Sequence, residues 1–329
     1  MDARFAFSGK GFKMRSTELT EIGVPWSVIT FGCWQIAPSE GWGNVCSASE
    51  AEFAVKTALD CGVTAFDTAE GYGDGESERR LGLALGKKKY DVVVISKIWP
   101  DADLTVKCYQ ERLENSLRAI DRDYVDVYLV HWPGEFFDSP SKSEKLCELM
   151  FRLKVSGKAK TVGLSNFKAP DLKLLGERVS HFVVNQVPYN LLDRRYEDAT
   201  LDICREAEIP YMAYSPTAQG LLGGRFDKIA MGFPVRQRNP LFQSRLFPEA
   251  KKLYDLVCNV AEELNRKPVE VAVAWVIAQS NFFTAIVGSH KTKQIKEFAG
   301  AGDLELTGEY MSRLTAASDA FHKFRNSLL

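Results

Sequence analysis

Asp67, Tyr72, Lys97 and His131 are the residues of this sequence whose types and positions could together move a proton. Asp67 closes the β-rich run 63–66. Gly71, Gly73 and Gly75 then let the backbone turn sharply, which aims Tyr72 back over that strand end. Lys97 ends the apolar run 92–96, and His131 ends the run 127–130. Taken singly, such an aspartate caps a helix, such a lysine sits in water and such a histidine fills a core. Three successive apolar strands that each present an ionisable group at the C-terminal end point instead to one shared site. A free tyrosine has a pKa of about 10, a poor match to neutral pH for an acid. An ammonium within hydrogen-bond reach favours the phenolate, so Lys97 is expected to lower that value. Asp67 would keep Lys97 charged and fixed. Tyr72 would then be the proton donor, with His131 as a further partner.

The elements that must position these groups alternate along the chain. The pattern predicts strands over 28–36, 64–69, 92–98, 124–132, 161–166, 182–187, 210–215 and 283–288. Helical patterns separate them over 49–61, 76–86, 104–120, 143–156, 171–178, 197–207 and a longer stretch, 248–279. In 104–120 the apolar positions 106, 109, 113, 117 and 120 recur with the helical period. Pro268 ahead of Val269 to Ala272 reads as proline in the first turn of a new helix. Near-continuous apolar strands joined by helices suit a parallel sheet covered on both faces. Eight such units predict a (β/α)8 TIM barrel in one domain, residues 1–329, with a C-terminal helical extension. A hairpin of residues 12–15 and 20–24 is expected to plug the N-terminal mouth. A doubly wound dinucleotide fold would need Gly-x-Gly-x-x-Gly after its first strand. The sequence instead has Gly32-Cys33-Trp34-Gln35 there, and Gly71, Gly73 and Gly75 have the wrong spacing.

Composition narrows the function classes. The chain has 329 residues, 45% apolar and 26% charged, with a formal charge of −1. That balance gives no basis for binding nucleic acid or an anionic membrane, and no apolar run reaches the roughly 18 residues that span a bilayer. The 7 cysteines (33, 46, 61, 108, 147, 204 and 258) are scattered and never spaced Cys-x-x-Cys. They read as buried thiols in a reducing cytosol rather than a disulfide framework or zinc site. With no secretory signal pattern in the first residues, a cytoplasmic location is expected. Oligomeric state is not legible.

The motifs, taken in order, resemble those of the aldo-keto reductases, NAD(P)H-dependent enzymes that reduce carbonyls on a (β/α)8 barrel. The matching pieces are 66–78 (Phe-Asp-Thr-Ala-Glu-Gly-Tyr-Gly-Asp-Gly-Glu-Ser-Glu), 95–97 (Ile-Ser-Lys), 130–133 (Val-His-Trp-Pro), 162–167 (Val-Gly-Leu-Ser-Asn-Phe), 185–190 (Asn-Gln-Val-Pro-Tyr-Asn), 213–216 (Ala-Tyr-Ser-Pro) and 286–289 (Ile-Val-Gly-Ser). They cover nearly the whole chain. The resemblance carries a catalytic Asp-Tyr-Lys-His set onto Asp67, Tyr72, Lys97 and His131. Hydride transfer is chemistry no side chain performs, so a cofactor is implied.

The resemblance also implies a cofactor site. Ser165, Asn166 and Gln186 would meet the nicotinamide carboxamide, and Tyr214 would stack on the ring. The run 215–222, with Ser215, Thr217, Gly220 and Leu221, would bind the pyrophosphate through backbone N–H groups; Pro216 has none. Gly288, Ser289, Lys291, Gln294 and Glu297 would take the adenosine end near a helix N-terminus. Gln294 and Phe298 depart from the residues common there in relatives, so NADPH is favoured but NADH stays open.

Substrate contacts are expected from the aromatic residues Trp34, Trp42, Trp99, Trp132, Phe136 and Phe137. The segment 219–246 carries Arg225, Lys228, Arg236, Arg238 and Arg245 against Asp227. It reads either as a pyrophosphate clamp or as a pocket for an anionic substrate such as an acidic sugar aldehyde. Two other classes stay open: an NADP(H)-binding regulatory subunit of a membrane channel, and an isomerase or lyase barrel without nicotinamide.

Overall fold

A computed structural model describes residues 7–328 other than 10, 11, 20, 21, 135, 136, 225, 230 and 244. Four short antiparallel strands come first. β1 (Phe7–Gly9) pairs with β2 (Phe12–Met14), and β3 (Ser16–Thr17) pairs with β4 (Trp26–Ser27). Eight parallel strands then close a barrel: β5 (Ile29–Gly32), β6 (Ala65–Asp67), β7 (Val93–Ile98), β8 (Val125–Val130), β9 (Ala159–Ser165), β10 (Asn185–Pro188), β11 (Tyr211–Tyr214) and β12 (Phe282–Val287). Neighbours in sequence are neighbours in space, and β12 pairs with β5 to complete the ring.

The helices between and after them are α1 (Ala48–Asp60), α2 (Glu76–Leu85), α3 (Val106–Ile120), α4 (Pro140–Val155), α5 (Ala169–Leu175), α6 (Ala199–Glu206), α7 (Pro234–Gln237), α8 (Phe247–Glu263), α9 (Pro268–Ile277), α10 (Thr292–Ala299) and α11 (Gly308–Asn326). Local chemistry sets their ends. Ser47 and Glu50 form a capping box at α1, and Thr105 accepts from the Cys108 N–H to start α3. The long pattern 248–279 is two helices, α8 and α9, divided where Asn265 turns left-handed and Pro268 opens the second. The first predicted strand is also shorter, because residues 33–36 coil into a 3-10 turn after Gly32.

Strand alternation decides what faces inward. Ala65, Val93, Ile95, Val127, Leu129, Val184, Met212 and Ile286 form one buried interior cluster with Ile22 and Trp26. The intervening Phe66, Val94, Tyr128 and Val162 pack outward beneath the helices. Trp26 donates its indole N–H to Thr30 at 2.8 Å, and its ring meets Phe283 edge-on at 4.9 Å. The N-terminal mouth is therefore plugged, but not by the predicted hairpin. Residues 12–14 pair backwards with β1, and Arg15 is tied to the carbonyls of Gly302 and Leu304 outside the barrel. The apolar plug comes from Leu19, Ile22, Val24 and Trp26. Residues 20 and 21 of the expected second strand lie outside the described residues.

The layer outside β6 and β7 is packed to contact. A Cβ on Gly82 would lie 2.2 Å from the Ile120 carbonyl oxygen at the end of α3. Gly82→Ala is expected to force α2 off α3 and destabilise the protein by about 1–3 kcal/mol, the usual range for overpacking. Thermal unfolding checks this, and an unchanged Tm would contradict it.

Candidate active site

The interior rows 65–67, 93–97 and 127–131 run from apolar residues at the bottom to ionisable ones at the top. Asp67, Lys97 and His131 thus sit directly above Ala65, Ile95 and Leu129. The Lys97 Nζ donates to Asp67 Oδ1 at 2.7 Å, to the Thr68 carbonyl at 2.7 Å and to the Tyr72 hydroxyl oxygen at 3.3 Å. An ammonium has three hydrogens, so all are committed, and the phenol oxygen is an acceptor in that contact. The Tyr72 proton is left for another partner. The turn that brings Tyr72 in needs glycine at its tip. Gly73 has φ +63°, and a Cβ there would meet the Pro38 carbonyl at 2.6 Å. The Tyr72 ring is stacked on Trp34 at 5.9 Å and meets His131 at 5.5 Å, while Trp99 stands edge-on to His131 at 4.9 Å. The four predicted groups converge.

Their electrostatics differ from expectation at one point. Burial first, then the Asp67 charge and Cys33, push the Tyr72 phenol well above its ordinary value. Lys97 favours the phenolate but does not outweigh them, because it is partly offset by Asp67, which lies closer to it than Tyr72 does. Tyr72 accordingly holds its proton at neutral pH. Burial also lowers Lys97, with Asp67 opposing. For His131, burial and then the Lys97 charge hold the imidazole well below its usual range, so the ring is neutral at pH 7. Its Nδ1 is buried with no partner among the described residues. A neutral ring keeps one N–H to give.

The residues expected at the nicotinamide end are brought together but are already bonded. Asn166, with φ 66°, donates to the His131 carbonyl and to Ser165 Oγ, both at 3.0 Å, and accepts from the Tyr214 hydroxyl at 2.9 Å. Ser165 Oγ donates to the Gln186 carbonyl. The Gln186 amide donates to Asp67 Oδ2 at 2.7 Å, so it fixes the carboxylate that in turn holds Lys97. A role for Gln186 in tying Asp67 was not visible in sequence.

These residues line a cleft of about 2260 Å³ at the C-terminal ends of the strands. That exceeds the roughly 300–1,000 Å³ of a pocket for one drug-sized ligand and leaves room for a dinucleotide beside a substrate. Ser215, Thr217 and Gly220 lie on its wall, and Gly288, Ser289, Lys291, Gln294 and Glu297 lie together on another part of it. Ser289 Oγ accepts from the Lys291 N–H at 3.0 Å and donates to Gln294 at 2.6 Å, ordering the entry to α10. Leu221 is a correction. Its side chain is fully buried in the core and absent from the wall, and its N–H goes to the Ala218 carbonyl. Ser215, Ala218, Gln219 and Gly220 all have positive φ. This segment therefore coils on itself, and the N–H groups of residues 220–223 bond within it.

On the substrate side, Trp34, Trp42, Trp99 and Trp132 line the cleft, Trp99 and Trp132 being 40% and 42% exposed. Phe137 does not. It is buried against Phe167 at 5.1 Å. Phe136 and Arg225 lie outside the described residues. Lys228, Arg236 and Arg238 reach the wall, but Arg245, in the turn that leads into α8, is exposed and off it. Arg236 donates to the Gln219 carbonyl and packs over Trp42, Phe233 and Phe242, while the Val235 N–H reaches the Gly41 carbonyl. It fastens the loop after β11 to the loop after β5. Sequence reasoning also missed Asn190, whose amide donates to the Ser215 carbonyl, and Arg195, paired with Asp193 on the wall. Asn190 ends the motif 185–190, a signal that was present but carried no assigned role.

A family model described as the Aldo/keto reductase family matches residues 28–319. An uncharacterized oxidoreductase of Mycobacterium tuberculosis is 33% identical over 300 residues, 90% of this chain and 90% of that protein. A methylglyoxal reductase of Escherichia coli is 30% identical over 269 residues, 81% of this chain and 84% of that protein. Among solved structures, an aldo/keto reductase from Klebsiella pneumoniae in complex with NADP and acetate is 28% identical with a TM-score of 0.71, covering 89% of this chain and 91% of that one. Among the described residues, no helix is long and apolar enough to cross a membrane.

Proposed function

Because the chain belongs to the aldo/keto reductase family, we propose that it reduces a small aldehyde or ketone to an alcohol with NADPH, Tyr72 acting as the proton donor. The observation that carries this reading is the Lys97–Tyr72 contact of 3.3 Å, with the other two ammonium hydrogens spent on Asp67 and Thr68. Bound NADPH would supply the hydride. Ser165, Asn166 and Gln186 are the proposed neighbours of its carboxamide, Tyr214 of its ring, and Ser289, Lys291 and Gln294 of its adenosine phosphate end. Neutral His131 would give one N–H to the substrate oxygen and hold it beside Tyr72. Tyr72 keeps its proton until negative charge appears on that oxygen. Lys97 then supports the charge left on the phenol oxygen, an interaction stronger in the transition state than in the ground state.

The aromatic wall of Trp34, Trp99 and Trp132 suits a small neutral carbonyl, including a sugar aldehyde, whose apolar face can rest on a ring. An anionic substrate is the weaker reading, since Arg236 is spent on fastening loops and Arg245 is off the wall. The test is a carbonyl panel of small aldehydes, ketones, sugar aldehydes and acidic aldehydes, with NADPH and NADH in parallel. Neutral aldehydes such as methylglyoxal should turn over. NADPH should show a KM lower than that of NADH by about tenfold, worth about 1.4 kcal/mol. Binding of NADPH without turnover of any carbonyl would favour the regulatory-subunit reading, and absence of binding would overturn both.

A further inference from the structure

Glu78 closes the motif that begins at Phe66, yet nothing in the proposed reaction uses it. It lies on α2 and is 1% exposed. Its carboxylate accepts from Ser96 Oγ at 2.5 Å. Ser96 precedes Lys97 in β7, so the two side chains leave opposite faces of the strand. Glu78 therefore stands on the outer side of the strand whose inner side carries the ammonium. No cation is in contact with its carboxyl among the described residues.

The groups that act on it come from several neighbouring elements. Ser116 comes from α3 and Tyr128 from β8, and Tyr109 and Arg112 of α3 lie by Tyr128. Glu70, from the loop after β6, is held by Arg112 through bonds of 2.8 and 2.6 Å. Through the sheet lies Lys97 with Asp67. Burial pushes Glu78 up to about 7, with Ser96, Ser116 and Lys97 opposing and Glu70 adding. Tyr109 and Tyr128 are pushed up by burial and stay neutral there. Glu78 is thus a carboxyl in this layer that changes charge near neutral pH.

We propose that Glu78 is a positioning residue for carbonyl reduction, its ionised form holding Lys97 charged from behind β7. It would act through Lys97 and not on substrate or cofactor directly. The inference rests on the Lys97–Tyr72 reading above. The sign follows from charge alone: burial works against the ammonium, while Asp67 foremost, then Cys33 and Glu78, work for it. Removing the Glu78 charge should therefore lower the pH at which Lys97 loses its proton.

The experiment is the pH profile of kcat for wild type and Glu78→Gln from pH 5 to 10, with Tm measured alongside. Glutamine keeps the shape and the bond to Ser96. A contacting charge shifts a pKa by about 1–3 units, so one acting across a strand should move the alkaline limb down by about half a unit. At pH 5.5, where Glu78 is protonated, the two proteins should have equal kcat. An alkaline limb that does not move overturns the proposal, including when Tm falls, since a merely structural role lowers Tm without moving the limb. If Glu78→Gln does not fold, Glu78→Asp replaces it. Aspartate keeps the charge, so its limb should match wild type, and a limb half a unit lower would overturn the proposal. Tyr72→Phe in the same series separates the two readings. Wild-type turnover in Tyr72→Phe sinks the parent reading, whereas an inactive Tyr72→Phe beside an unmoved Glu78→Gln profile sinks this inference alone.

Discussion

Tyr72→Phe is expected to lower kcat for carbonyl reduction by about 10²–10⁴-fold, the contribution of a positioned general acid. KM for NADPH should stay within about twofold, because the change removes an interaction made in the transition state rather than in the bound ground state. Folding should be nearly untouched. The phenylalanine ring can keep its place between Trp34 and His131, and the lost hydroxyl made one long contact of 3.3 Å with Lys97. The combination is diagnostic. A large fall in kcat with an unchanged Tm locates the effect in the reaction, while a parallel fall in both would locate it in packing.

Lys97→Met should damage both properties at once. The lysine side chain is fully buried, and methionine matches most of its length. Its removal leaves Asp67, 3% exposed, with the Gln186 amide as its remaining side-chain donor among the described residues. Breaking a buried pair by deleting one partner costs about 3–5 kcal/mol, since the surviving charge is left without compensation. Tm should fall clearly. The kcat should fall by about 10²-fold or more, because nothing then supports the charge left on Tyr72 as it gives up its proton. Lys97→Met with wild-type stability would mean that the 2.7 Å contact with Asp67 is not a compensated charge pair.

The barrel and the convergence of its four ionisable groups were legible because both follow from local pattern. Period-two alternation places 93, 95 and 97 on one face, and sequential parallel strands are spatial neighbours, so Asp67, Lys97 and His131 could be put together without coordinates. What failed depended on which of several partners a residue takes. Residues 12–14 carry a strand pattern that suits either neighbour, and they pair with the nearer one, β1, rather than with 20–24. Gln186 reads as an amide for the nicotinamide, and nothing local shows that Asp67, far away in sequence, claims its N–H. Leu221 and Phe137 lie in segments whose turns could aim them either way, and burial aimed both into the core. The direction of the Tyr72 shift was missed for a related reason. Counting Lys97 as a neighbour ignores that Asp67 offsets its charge and that the phenol has left water.

Steady-state rates can hide the chemical step behind release of product or cofactor. The most direct measurement is therefore a single turnover: enzyme preloaded with NADPH, mixed rapidly with excess aldehyde at pH 7, with loss of the reduced nicotinamide followed for wild type and Tyr72→Phe. Oxidation of bound cofactor should be slower by about 100-fold or more in the variant, with equal cofactor loading in both. Equal single-turnover rates would show that the proton comes from elsewhere, and the assignment of Tyr72 would be wrong.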